Sequence, residues 1–228
     1  MCGSGKRDRV GRAASRAVAS LALAGLVLAS CGGPKALALP ADPIDRAATC
    51  GVVAAAEARS ATADINQPLT LEAQGHILHY AVLAASEGGR FSAETAGAAS
   101  KRMKALQDEV TSGKWQGLAP ACRAAFPAAA ATGEVTLPKD RLDAQLGCSE
   151  LAQFTATALE PDKAHYAAKL GEYRDLRTTL SNRMGPGLRS RFGSDFVKQR
   201  AAAHKALAAM AQLGSPVAVL DQCLKTFG

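Results

Sequence analysis

Four cysteines in the body of this 228-residue chain constrain its fold more than any other feature: Cys50, Cys122, Cys148 and Cys223. In an oxidising compartment, an even number of cysteines favours disulfide bonds, here two of them. Four cysteines can be paired in three ways, and their spacing alone does not choose among the pairings. The compartment therefore has to be read from elsewhere in the sequence.

The N-terminal residues have the layout of an export signal. Residues 6–16 contain five basic side chains and one acidic side chain, and an uncharged run from Ala17 to Ser30 follows. A basic segment before a short apolar run is typical of a signal peptide. The run is too short for a membrane-spanning helix, which needs about 20 residues. Residues 1–30 are therefore predicted to be a removable signal.

The end of this signal carries a recognisable motif. Leu28-Ala29-Ser30-Cys31 resembles the lipobox of bacterial lipoprotein precursors. The resemblance, which covers residues 6–31 only, implies that Cys31 is acylated and becomes the N-terminus, and that Gly32 after it directs the protein to the outer membrane, facing the periplasm. The alternative is cleavage after Ala36-Leu37-Ala38, which would release a soluble periplasmic protein.

A weak internal repeat favours one of the three cysteine pairings. Residues 90–126 align without a gap to residues 191–227, with identical residues at a cysteine, two phenylalanines and a glycine among other positions. The repeat predicts disulfides that join the first helix of each unit to its last, and each closed loop should remove about 4 kcal/mol of unfolded-state entropy. The predicted pairs are Cys50–Cys122 and Cys148–Cys223.

Composition indicates an all-α fold. Alanine, the best helix former, is abundant, aromatic residues make up only 4% of the chain, and alternation typical of strands is scarce. We expect two tandem disulfide-stapled bundles of about four helices each, related by duplication. The predicted divisions are a signal at 1–30, a lipidated tether at 31–46, a helical unit at 47–126, a connector at 127–147 and a second unit at 148–228.

Capping and breaking residues predict several helix ends. Ser92 and Ser215-Pro216 are start signals, because a hydroxyl side chain can cap a helix and Pro suits its first position. Gly185-Pro186-Gly187 predicts a helix end, since Pro cannot donate the next backbone hydrogen bond. A short helix at 139–146 is predicted ahead of a longer one at 148–159.

Charge excludes nucleic acid as a partner. The whole chain has a net charge of +7, but more than half of this excess belongs to residues 1–30. Loss of that segment leaves a weakly basic protein, and export removes it from the cytoplasm. The high pI therefore does not indicate a nucleic-acid-binding protein.

The remaining positive charge is concentrated in residues 172–205, which hold eight basic and three acidic side chains. A one-sided basic face would attract anionic envelope components such as phospholipid head groups, phosphates of lipopolysaccharide or acidic glycans. The alternative is an ordinary solvated helix face. The candidate contacts are Arg183, Arg189, Arg191, Lys198 and Arg200.

A second candidate site lies on the predicted helix at 69–87. Glu72, His76 and His79 fall within about 60° of arc on one helix face, and a carboxylate with two imidazoles suits Zn²⁺ or Cu²⁺. The alternative is a polar face opposite the core, and no fourth ligand is evident. We predict no cofactor and find no catalytic motif among the phosphate-loop, Gly-x-Ser-x-Gly and Cys-x-x-Cys patterns.

These features predict a non-enzymatic lipoprotein whose helical domain binds another component of the cell envelope, either an anionic component or a protein. A periplasmic metal or small-ligand binder that uses Glu72, His76 and His79 is the second hypothesis. An enzyme with residues dispersed through the chain is the third.

Overall fold

The computed structural model describes residues 37–64 and 66–228. The predicted signal peptide, Cys31 and the beginning of the tether lie outside the described residues. Within them all regular structure is helical and there are no strands, which confirms the all-α prediction. The helices are α1 (Pro43–Ser60), α2 (Leu71–Ala85), α3 (Ala93–Ser112), α4 (Ala119–Ala125), α5 (Pro127–Ala130), α6 (Arg141–Ala158), α7 (Lys163–Phe192), α8 (Phe196–Met210) and α9 (Pro216–Phe227).

Hydroxyl side chains begin two of the helices, as the sequence predicts. Ser92 Oγ accepts a hydrogen bond from the Thr95 backbone N–H at 3.1 Å, at the start of α3. Ser215 Oγ accepts one from the Ala218 N–H at 3.3 Å, at the start of α9. Each bond satisfies a backbone donor that has no partner inside the helix.

Helix α6 is longer than predicted. It begins at Arg141 and runs without interruption to Ala158, so the helices predicted at 139–146 and 148–159 are one. Asp140 is its N-cap and accepts a hydrogen bond from the Asp143 N–H at 2.9 Å.

The helix end predicted at Gly185-Pro186-Gly187 is wrong, because α7 continues through Pro186 to Phe192. The proline costs the helix one backbone hydrogen bond, but packing on both sides of it offsets the loss. Met184 is buried, and Leu188 packs against the same core beyond the proline. The helix ends at Gly193, whose φ of 63° is in the left-handed region that favours glycine.

Both disulfides join the helices that the repeat predicts. Cys50 of α1 is bonded to Cys122 of α4, and Cys148 of α6 is bonded to Cys223 of α9, with Cα–Cα distances of 5.4 and 5.9 Å. All four cysteines are buried. Helix α1 packs on α2 and α3, and α6 packs in the same way on α7 and α8. Each disulfide therefore fastens a short last helix to the helix around which its neighbours are arranged.

The two disulfide-linked groups of helices contact each other mainly through α2. Gly75 of α2 lies so close to α9 that a Cβ atom there would come within 2.5 Å of the Val217 side chain. The Tyr166 hydroxyl of α7 donates a 2.6 Å hydrogen bond to the Leu69 carbonyl just before α2. The described residues all belong to one compact unit. The division into units at 47–126 and 148–228, and the duplication, stay predictions.

A helix that crosses a bilayer needs about 20 predominantly apolar residues. Among the described residues, no helix is both long enough and apolar enough to cross a membrane.

Candidate functional site

The predicted metal site on α2 places its three side chains in different environments. Glu72 is exposed, His76 is half-buried and His79 is fully buried. Within residues 37–64 and 66–228, no three His, Cys, Asp or Glu side chains are grouped so that they could hold a metal ion. The three side chains lie on one helix face but differ in burial. Among the described residues they therefore do not form a shared set of metal ligands.

His79 has a structural contact across the protein. Its Nε2 lies 2.7 Å from the carbonyl oxygen of Ala211, just after α8, and therefore carries the proton and donates it. Its Nδ1 has no hydrogen-bond partner among the described residues. Burial is the largest influence on its pKa, which falls to about 4. The side chain is thus a neutral imidazole that joins α2 to the end of α8.

His76 faces a small cleft beside α2. Its ring packs edge-on against Tyr80, with 5.5 Å between ring centroids. Glu57 and Arg123 line the same cleft of about 260 Å³. Burial lowers the pKa of His76 as well, against the opposing charge of Glu57.

Two of the predicted anion-binding arginines are engaged within the fold. Arg183 donates a 3.0 Å hydrogen bond to the Phe227 carbonyl at the end of α9. Arg191 binds Asp140 and Asp143 at the start of α6, at 2.6 and 2.7 Å. The Arg191 hydrogen bond is the main reason that the pKa of Asp140 is lowered. These arginines join α7 to its neighbours, so they are less available to bind an external anion.

The other predicted bases are available to solvent. Lys198 lies 3.4 Å from Asp195, but 71% of its side chain is exposed. Arg189 and Arg200 are exposed and form no ion pair with any described carboxylate. Arg177 was not among the predicted contacts, although it lies in the basic segment, and it shares these properties. Together Arg177, Arg189, Lys198 and Arg200 are called the basic group below.

A cleft of about 370 Å³ lies between α6, α7 and α8, and Arg177 and Arg200 both line it. Ser181, Gln199 and His204 contribute polar groups to the same cleft, and Glu150 contributes its one carboxylate. Two guanidinium groups beside neutral hydrogen-bonding side chains suit a phosphate or carboxylate.

Sequence reasoning missed an apolar feature beside this cleft. Phe196 and Val197, at the start of α8, are the two large apolar side chains of the described residues that are largely exposed, at 80% and 79%. Phe196 also lines the rim of the cleft. Its spacing of 7 and 11 residues to buried Ala203 and Leu207 places it on the core face of α8, so the sequence pattern predicts burial. Only the structure shows that no helix of the described residues covers it.

Comparison with known proteins identifies no relative. No protein-family model matches the chain, and no curated protein or solved structure matches it significantly.

The environment of His79 predicts a pH-dependent stability. An unfolded chain binds a proton at this residue with a pKa of about 6.5, whereas the folded chain does so only near pH 4. The unfolded state therefore binds more protons between these values, and stability falls as the pH falls from 6.5 to 4. Between pH 7 and pH 4.5, His79 should account for a loss of about 2 to 3 kcal/mol.

The measurement is urea unfolding of the wild type and of His79→Gln at both pH values. Glutamine can still donate to the Ala211 carbonyl but does not titrate, so the variant should lose less stability than the wild type on acidification. All other groups are common to the two proteins. Equal losses in both would show that His79 is not the buried neutral group described here.

Proposed function

We propose that this protein is a non-enzymatic binding module of the bacterial cell envelope that engages an anionic envelope component through the basic group. The observation that carries the proposal is the exposure of Arg177, Arg189 and Arg200 without an acidic partner among the described residues. On α7, by contrast, Arg174 and Arg191 are paired with carboxylates, and Arg183 binds a backbone carbonyl. Unpaired bases on one end of a protein create a positive potential that attracts anions.

The geometry changes which residues carry this function. The sequence alone nominates Arg183, Arg189, Arg191, Lys198 and Arg200. Because Arg183 and Arg191 bind partners within the fold, their removal would disturb the packing of α7 as well as binding. The basic group is therefore the set to which we assign the anionic partner.

We further propose that the protein is exported and anchored to the outer membrane through a lipid on Cys31. Two buried disulfides support an oxidising compartment, where such bonds persist. Leu37 packs against the core beside Gly113, so cleavage after Ala38 would remove a contact of the folded domain. This contact favours cleavage before Cys31 over the alternative that releases a soluble protein.

The anchor predicts acylation at one position. When the chain is expressed in a bacterium supplied with a labelled fatty acid, we expect label in the wild type and none in Cys31→Ser. Gel autoradiography of the purified proteins makes the comparison. An unlabelled wild type, or equal labelling of the variant, would contradict the anchor while leaving the basic group untouched.

The basic group predicts charge-dependent binding to an anionic surface. The probe is vesicles of phosphatidylglycerol and phosphatidylcholine, and the protein is the mature chain, residues 31–228, with Cys31→Ser, so that neither the lipid nor the basic signal segment contributes. Replacing Arg189, Lys198 and Arg200 by Gln should weaken binding by at least about tenfold, since each base near an anionic surface contributes about 1 kcal/mol.

The matched control replaces Lys101, Lys104 and Lys114 by Gln, which removes the same charge from exposed positions in and just after α3. This variant should bind nearly as the parent does. Equal weakening in both triple variants would mean that net charge alone drives binding. No weakening in either would overturn the proposed function.

A further inference from the structure

The exposed pair Phe196 and Val197 is not explained by the fold. Their backbone is held firmly: the Asp195 carboxylate accepts hydrogen bonds from the Val197 and Lys198 N–H groups, both at 3.0 Å. The Gln199 side chain also donates a 2.8 Å hydrogen bond to the Gly193 carbonyl across the turn between α7 and α8. A capped helix start thus presents two bulky apolar side chains to solvent in a fixed position.

The surroundings of the pair are basic. Lys198 follows it directly, Arg200 lies half a helical turn further on, and Arg177 lines the cleft whose rim includes Phe196. The nearest acidic group, Asp195, has its charge engaged by the two backbone N–H groups and by Lys198. Glu150 lies in the cleft itself. The exposed apolar pair is thus surrounded mainly by cationic side chains.

We propose that this turn, from Gly193 to Arg200, docks on an anionic phospholipid surface, with Phe196 and Val197 entering the interface and the basic group contacting phosphates. The inference rests on the proposed function and names its partner. Membrane-surface segments combine apolar side chains, which enter the boundary between head groups and acyl chains, with bases that remain at the phosphates.

Two features favour a lipid surface over a protein partner. A stable protein interface buries about 800 Å² on each side around an apolar centre, whereas the exposed apolar feature here comprises two side chains. The charges also lie beside the apolar pair, as in a bilayer, where charged head groups lie beside apolar acyl chains. Binding to such a surface does not require an apolar groove that receives a partner helix. The complementary charge is that of an anionic head group.

A single-tryptophan reporter tests the inference at the residue concerned. The mature chain, residues 31–228 with Cys31→Ser, is given Trp115→Phe, which removes its only tryptophan, and then Phe196→Trp at a position that is 80% exposed. Phosphatidylglycerol vesicles containing brominated acyl chains should quench Trp at position 196 and shift its emission to the blue. The control is the chain with native Trp115 and Phe196, whose fluorescence should change little.

A second variant keeps every charge. Replacing Phe196 and Val197 by Ser should weaken vesicle binding by about tenfold, because the apolar contribution to interfacial binding is lost. Both positions are exposed, so folding should be unaffected. Circular dichroism of the variant verifies that its helix content is unchanged.

The outcomes separate this inference from the proposed function. Quenching at position 196 that requires phosphatidylglycerol supports both. Binding that depends on Arg189, Lys198 and Arg200 without quenching at position 196 overturns membrane insertion and leaves a headgroup or soluble anion as the partner. Equal quenching with pure phosphatidylcholine, or equal quenching of Trp115, overturns docking of this turn on an anionic surface. Vesicle binding that is unchanged when Arg189, Lys198 and Arg200 are replaced overturns the proposed function itself.

Discussion

The rest of the structure depends on the two buried disulfides. Cores lined with alanine bury less apolar area per residue than cores lined with leucine, so they contribute less free energy to folding. Each disulfide closes a long loop, which reduces the entropy of the unfolded chain. Each also joins the first and last helices of its group, so that the short helices α4 and α9 are linked covalently to α1 and α6. The covalent links thus add stability to a core in which alanine is the most frequent buried residue.

This arrangement leaves the turn between α7 and α8 exposed to solvent. Helix α7 extends beyond Pro186, and Arg191 fixes that extension to the start of α6. The turn that follows presents Phe196 and Val197 to solvent among cations. The arginines of α7 therefore differ in their contacts: Arg191 holds the extension in place, whereas Arg177 and Arg189 are exposed without an acidic partner among the described residues.

The sequence predicts the framework better than the surface. The helical class, both cysteine pairs and the caps at Ser92 and Ser215 follow from local chemistry or from the internal repeat. Three other features depend on tertiary packing. Pro186 does not end its helix because residues on both sides of it pack on the core, His79 is buried because α8 ends against it, and Phe196 is exposed because nothing covers the start of α8. Periodicity places a residue on a helix face but does not show how far a neighbouring helix reaches along it.

The most direct test of the disulfide constraint is the free energy of unfolding of the Cys148→Ala/Cys223→Ala double variant, measured in urea at pH 7 beside the wild type. We predict a loss of about 4 kcal/mol from the loop closed between these residues, and a loss of similar size for Cys50→Ala/Cys122→Ala. If either double variant keeps its stability to within about 1 kcal/mol, less than disulfide removal typically costs, the disulfides do not compensate for the alanine-lined core.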